Sequence, residues 1–266
     1  MTPWLELCRA SVADIRDVLE RLPTRLEREP VLRAGEGGDD TTAIDAAAEE
    51  AVVARLATLG RDFVLVSEEL GERTFGTGGP LRVVVDPIDG SVNAKRGIPF
   101  FSLSLAVADG PALGDVVFGY VYDFGSGEEW TAERGRGAYL DGVRLGAVRP
   151  KRTIEILAFE GTTAAYIADR APAVVALAQR LRVMGSLALS LCHLAAGRVD
   201  AVCSLKPARS VDIAAAQLLV REAGLAIELF ESPPFEAAPL DLGQRSRVVA
   251  AATPDGCAQL AGALAG

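Results

Sequence analysis

The stretch Asp86-Pro-Ile-Asp89-Gly-Ser91 follows directly on the apolar run Val83–Val85, so two carboxylates end what reads as a buried strand. Taking a carboxylate into an apolar interior is costly unless a cation meets it. The motif itself holds no lysine or arginine, and Lys95 and Arg96 lie beyond the turn. A divalent metal answers the need, because a magnesium site takes a few carboxylates and completes its shell with water and phosphate oxygens. Pro87 stiffens the turn, so that Asp86, Asp89 and the Ile88 carbonyl can converge on one ion. Gly90 lets the backbone approach a ligand closely, and Ser91 adds a hydroxyl and an N–H suited to phosphate at a helix start. More oxygen ligands stand elsewhere: Glu68 and Glu69 after the apolar run 63–66, Asp212 at the head of SVDIAAAQLL, and Asp45 in DDTTAIDAAAEE. Singly, each has an ordinary alternative. DPIDG makes a turn, Glu68-Glu69 a solvated pair, Asp212 a helix N-cap and Asp45 a helix-surface acid. The set of four is what points to metal chemistry.

The elements that must position these groups follow from periodicity. Residues 3–28 carry apolar side chains at helical spacing, and Gly35–Asp40 reads as an acidic flexible loop. Thr41 or Thr42 caps a helix over roughly 43–59. A strand is expected at 63–66, a loop at 71–80 and a strand at 81–85. Then 102–108, 114–122 and 128–132, parted by Asp109-Gly110 and Gly125-Ser-Gly127, read as an antiparallel sheet, with another hairpin signal at Asp141-Gly142. The second half alternates: strands at 154–159, 200–203, 225–229 and 248–251, helices at 173–180, 186–196, 211–223 and 255–264, a sheet packed between helices. A soft boundary falls near 145–152, dividing the chain into 1–150 and 151–266.

The 266 residues are half hydrophobic, enough for one large or two small domains with a substantial core. A net charge of −9 argues against nucleic-acid binding, so an anionic substrate must meet local cations or metal. Cys8, Cys192, Cys203 and Cys257 form no CxxC pair, and with a single histidine they make no zinc cluster. They read as reduced, buried thiols of a cytoplasmic protein. No apolar run approaches the roughly 20 residues of a membrane span, and the start of the chain does not resemble a signal peptide. His193, alone in an apolar helix, reads as structural.

The segments SEE, DPIDGS, GSLALSLCHLAAGRVD and SVDIAAAQLLVREAG occur in the order and spacing of the inositol monophosphatase family, which the chain resembles from about Asp40 to Gly224. The early GGDDTTAIDAAAE is most similar to the archaeal-type members that act on both fructose 1,6-bisphosphate and inositol phosphate. The resemblance implies an α+β fold, a layered αβαβα sandwich with the metal site between its halves, and homodimers or homotetramers. It also implies two or three Mg²⁺ ions, with Mn²⁺ as a substitute. Glu68, Asp86 and the Ile88 carbonyl would hold one ion, and Asp86, Asp89 and Asp212 a second. Glu68 would help place a third with its water. Asp45 and Ser91 would polarise the water that displaces the phosphate in line, without a phosphoenzyme. Two departures stand out: Ser91 replaces the usual threonine, which keeps the hydroxyl, and Val211 stands where tryptophan is common.

Substrate choice falls to the second half. Ser204–Ser210 holds no carboxylate for ring hydroxyls but two cations, Lys206 and Arg209, and Arg182 is a third. Such a cluster suits a second phosphate. Substrate contacts are therefore expected from Asp89, Gly90, Ser91, Arg182, Gly185, Ser186, Leu187, Lys206, Arg209 and Asp212. Fructose 1,6-bisphosphate and inositol 1-phosphate are the expected substrates. The alternatives are a 3′-phosphoadenosine 5′-phosphate phosphatase, whose family members tend to be longer, and a non-catalytic metal- or phosphate-binding protein.

Overall fold

Pro23 divides the helical stretch expected over 3–28. Its ring removes an N–H donor and pushes the preceding residue out of the helical region. The stretch is therefore two helices, α1 (Pro3–Arg21) and α2 (Arg25–Arg28). The structure, a computed structural model, describes residues 3–151, 153–161, 163–231 and 234–265. Arg152, at the end of the expected boundary segment, lies outside the described residues. The region expected as one acidic loop contains a small antiparallel hairpin, β1 (Val31–Ala34) and β2 (Asp40–Thr42), joined by Gly35–Asp39. Its burial pattern in β1 is fully exposed, so no apolar alternation announces it. Then α3 (Ala43–Ala57) starts at Thr42, which forms a reciprocal cap with Asp45.

The first sheet is built from β3 (Phe63–Ser67), β4 (Gly71–Phe75), β5 (Arg82–Asp89), β6 (Ser102–Ala108), β7 (Val116–Asp123), β8 (Glu129–Glu133), β9 (Gly137–Leu140) and β10 (Val143–Arg144). Its order is β10-β9-β8-β7-β6-β5-β3-β4. Strand β4 corrects the loop expected over 71–80. It pairs antiparallel with β3 at the sheet edge, and its exposed Glu72, Arg73 and Thr74 hide any apolar alternation. Charges on an edge strand discourage further pairing.

The ladder between β5 and β6 slips within the acidic motif. Asp86 pairs with Ser104 and Asp89 with Ser102, so β5 carries one extra residue. Pro87 has no N–H for the ladder, and the extra residue forms a bulge there. Strict alternation would send positions 86 and 89 to opposite faces. The bulge instead leaves Asp89 close enough for its charge to act on Asp86. Behind it, Gly90 has φ +97° and caps α4 (Ser91–Arg96); a Cβ there would lie 3.1 Å from the Gly185 and Phe100 carbonyls.

The second sheet comprises β11 (Ile154–Glu160), β12 (Ala178–Arg182), β13 (Ala201–Ser204), β14 (Ala226–Leu229) and β15 (Val248–Ala251), in the order β12-β11-β13-β15-β14. Its helices are α5 (Ala164–Val174), α6 (Leu187–Ala195), α7 (Ser210–Glu222) and α8 (Pro254–Ala265). The helix expected over 173–180 is not there. α5 ends at Val174, and β12 pairs parallel with β11 from Ile154↔Ala178 to Ala158↔Arg182. Pairing to a sheet overrides the helical preference of the Ala-Leu-Ala-Gln run.

The strands sort their side chains between three cores. In β5, Val83 and Val85 face one core with α1 and α3, while Val84 faces another with α6 and α7. In β13, Val202 joins that same middle core, whereas Ala201 and Cys203 face a third with Cys257, Leu260 and Leu264 of α8. The layers thus run α1/α3, first sheet, α6/α7, second sheet, α5/α8, the αβαβα sandwich expected. Helix α7 lies so close to the first sheet that a Cβ on Gly119 would come 2.6 Å from the Ala215 carbonyl.

Candidate active site

Strands β3 and β5 run parallel, and their pairing ends with Ser67 opposite Val85. In each the carboxylate is the residue directly after that last pair, which is how Glu68 and Asp86 come together from distant motifs. The middle helical layer brings the third group, Asp212, in the first turn of α7. One carboxylate oxygen each of Glu68, Asp86 and Asp212 lies within 4.8 Å of the others. All three offer hard oxygen donors, the chemistry of a magnesium or manganese site. Asp45, Glu68, Glu69, Asp86, Pro87, Ile88 and Ser91 line one small cavity beside them. Into this buried region Asp45 brings Oδ1, which accepts no hydrogen bond, while its Oδ2 caps α3 through the Thr42 N–H at 3.2 Å. An unpartnered buried carboxylate oxygen beside three converging carboxylates fits a cation and bound water.

The electrostatics agree. Burial pushes Glu68 up to about 8; Arg209 opposes this, while Asp212 and Glu69 add to it. Burial also raises Asp89 to about 7, opposed by Ser186 and increased by Asp212. Asp86 is raised well above the usual carboxylate range by burial, then by Glu68, Asp89 and Asp212. Burial raises Asp45 as well. Groups whose folded pKa lies above the unfolded value add stability that is complete below about pH 4 and lost as pH rises through the folded value. In chelator, the melting temperature is therefore expected to fall between pH 5 and 8.5 as Asp89 and Glu68 ionise, and a divalent metal should remove much of the fall. A flat or rising profile in chelator would contradict this charge arrangement.

Arg209 enters the cluster itself. Its side chain is 8% exposed and meets Glu68 at 2.6 Å and Asp212 at 2.9 Å. Burial works against its charge, but Asp212 and Glu68 outweigh it. Its Nη1 donates to the Gly37 carbonyl, which also accepts from Arg245. The Gly37 N–H donates to the Glu68 carbonyl at 2.8 Å, so the Gly35–Asp39 loop is tied across the cluster. Lys206 reaches Asp39 of that loop at 3.1 Å, and Arg209 reaches it at 3.6 Å. Arg182 is exposed on the edge strand β12, its Nη1 on the neighbouring Leu181 carbonyl. Of the expected second-phosphate cations, Lys206 and Arg209 share one loop contact and Arg182 stands on a separate strand.

The Ser91 hydroxyl donates to the Ile88 carbonyl at 3.1 Å. Asp89 turns its Oδ2 to the Ser186 hydroxyl and to the Ala188 N–H at 2.8 Å. Ser186 also caps α6 by accepting from the Leu189 N–H. The Gly185 N–H goes to Glu160 at 2.9 Å. Leu187 is buried in the first turn of α6. His193 stacks on Phe100 with centroids 5.7 Å apart and meets Trp130 edge-on, and burial lowers its pKa. It is a packing residue, as its isolation in an apolar helix suggests.

Three contributors escaped the sequence reading. Buried Glu49 accepts the Ser67 hydroxyl and the Glu69 and Leu70 N–H groups, fixing the turn that carries Glu68. Arg245 holds the loop. Glu160 had a visible signal, since it ends the apolar strand Ile-Leu-Ala-Phe-Glu as Glu68 and Asp86 end theirs.

A model of the inositol monophosphatase family matches residues 5–265. A fructose-1,6-bisphosphatase/inositol-1-monophosphatase of Thermococcus kodakarensis is 36% identical over 81% of this chain and 79% of its own. The Nus factor SuhB of Pasteurella multocida is 36% identical over 70% of each chain. A crystal structure of an inositol monophosphatase-fructose 1,6-bisphosphatase superposes with a TM-score of 0.84 at 25% identity, covering 99% of this chain and 100% of that one.

Proposed function

Because this chain belongs to the inositol monophosphatase family, a family of metal-dependent phosphoric monoester hydrolases, we propose that it hydrolyses sugar phosphates, fructose 1,6-bisphosphate and inositol 1-phosphate foremost. The observation that carries the reading is the meeting of buried Glu68 and Asp86 with Asp212 within 4.8 Å. Glu68, Asp86, the Ile88 carbonyl, Asp89 and Asp212 would hold two or three Mg²⁺ ions, with Mn²⁺ able to replace them. Such ions supply Lewis acidity toward the phosphate and a nucleophilic water near neutral pH. Asp45 and Ser91 would orient that water, Asp45 by the oxygen left free of hydrogen bonds. Gly90, Ser91 and the Gly185–Leu187 turn shape the wall that the ester meets, with Asp89 and Asp212 taking hydroxyl contacts.

Lys206 and Arg209 receive the second phosphate of the bisphosphate in place of Asp39, with Arg182 beyond them. An arginine can grip a phosphate with two parallel hydrogen bonds, which favours the bisphosphate. The protein is taken to work in the cytoplasm as a homodimer or homotetramer of units 1–150 and 151–266. Its free cysteines are all buried, and among the described residues no helix is long and apolar enough to cross a membrane.

Phosphate release with Mg²⁺ and with chelator, from fructose 1,6-bisphosphate, inositol 1-phosphate and 3′-phosphoadenosine 5′-phosphate in parallel, tests the proposal. Metal-dependent release from the first two is expected. Release from the adenosine compound alone would overturn the substrate reading, and release from none would favour a non-catalytic role, which the name of the SuhB relative keeps worth testing.

A further inference from the structure

Glu160 ends β11 in the second sheet, 7% exposed, and burial raises its pKa. Its two oxygens accept the Met184 N–H at 3.3 Å, the Gly185 N–H at 2.9 Å and the Ser190 hydroxyl at 2.6 Å. The same turn is gripped from the first half by Asn93, whose amide donates to the Met184 carbonyl at 2.7 Å and the Phe100 carbonyl at 2.8 Å. The segment just beyond delivers the Ser186 hydroxyl and the Ala188 N–H to Asp89, both to Oδ2 and neither to Oδ1. Glu160 touches neither Asp86, Glu68 nor Asp212. It fixes the turn before Ser186 and, through Ser190, the helix one turn beyond it.

We propose that Glu160 is a positioning residue for the hydrolytic reaction: by clamping Met184-Gly185 and the first turn of α6, it fixes the rotation of the Asp89 carboxylate so that Oδ1 faces the metal cluster. This rests on the reading of Asp89 as a ligand. A carboxylate pinned at one oxygen presents the other in a defined direction, and groups that orient ligands in this way tune metal affinity. Without Glu160, the two N–H groups and the Ser190 hydroxyl lose a shared acceptor inside the protein, and the turn relaxes toward other partners. Asp89 then follows Ser186.

The test is a double-mutant cycle read by Mn²⁺ binding, with free ion measured by electron paramagnetic resonance. Wild type, Glu160→Ala, Ser186→Ala and the double variant are compared, with Glu160→Gln as the near-isosteric variant. Glu160→Ala is expected to weaken Mn²⁺ binding by about tenfold or more, as loss of an orienting partner does. The double variant should bind within about twofold of the weaker single variant, because both changes act through Asp89. Glu160→Gln, which keeps one acceptor oxygen, should recover part of the affinity. Unchanged affinity in Glu160→Ala, or losses that multiply in the double variant, would overturn the proposal. Should Glu160→Ala not fold, the same cycle with Glu160→Gln decides by the same criterion. Wild type that binds Mn²⁺ and releases phosphate while the cycle fails would overturn this inference alone. Wild type that binds no Mn²⁺ would overturn the metal reading of the site with it.

Discussion

Asp86→Asn should lose metal-dependent phosphate release by roughly a hundred- to a thousandfold, the scale seen when one preorganised charge-stabilising group is removed from an active site. It should also melt higher than the parent in chelator. Both outcomes come from one fact: Asp86 is 2% exposed and raised by burial and by three neighbouring carboxylates. Within the fold an ionised Asp86 is compensated only in part, by the Ile88 N–H and the attraction of Arg209. Asparagine keeps an acceptor for the Ile88 N–H, which Asp86 Oδ1 takes at 3.0 Å, and removes the repulsion. The sign of the pH dependence follows. The raised pKa leaves the carboxyl favourable when protonated and unfavourable as pH rises, so the stability gain of the variant should vanish near pH 4 and grow as pH rises above it. Thermal melts of both proteins in chelator, alongside phosphate assays, check this. A variant that loses activity and also melts lower at pH 8 would make Asp86 a structural residue. Function and stability pull in opposite directions here, as they do wherever a site gathers like charges.

Arg209→Leu should cost about 3–5 kcal/mol of stability at pH 8 in chelator, the scale for stranding one side of a buried ion pair. The guanidinium is 8% exposed and is the side chain that bridges Glu68 and Asp212. Leucine fills some of its volume but leaves both carboxylates without that cation. The loss should shrink toward pH 5, where Glu68 is protonated in the folded chain. Added Mg²⁺ should restore part of it by binding the folded state alone. Arg209→Lys should fall between, because an ammonium keeps the charge but cannot reach two carboxylates with a planar fork. Denaturant melts at the two pH values measure all of this. A leucine variant as stable as the parent at pH 8 would show that Arg209 does not balance the cluster.

The carboxylate site was legible because its signal is local: an acid directly after an apolar strand, at Glu68 and Asp86, calls for a cation or a set of hydrogen-bond donors wherever the strand goes. The layered fold was legible where alternation or helical spacing was long, as in β6 and α7. It failed at β4, whose edge position leaves charged side chains exposed, and at β12, where pairing with β11 decides between helix and strand. Arg209 was recognised as a cation of the site, but not as the partner of Glu68 and Asp212. That role depends on helix α7 and strand β3 meeting in space, and no spacing in the chain records it. Glu49 could not be found this way, because a glutamate inside DAAAEEAVV looks like any helix-surface acid until the Glu69-Leu70 turn folds over it.

The helical layer of α6 and α7 is shared, with Val84 and Trp130 of the first sheet and Val202 and Ala250 of the second packed into the same core. In chain order α1, α3 and the whole first sheet precede α6 and α7, so until those helices are made one face of the sheet has no cover. That bare face waits for residues 187–222 before it is shielded, and the last strand of the second sheet, β15, arrives later still. A nascent chain paused after β10 is thus a half-covered sheet, the form most prone to associate with its copies or to recruit a chaperone. Asp212 is carried by the very helix that closes the gap, so the cluster of Glu68, Asp86 and Asp212 is completed only when the exposed face disappears.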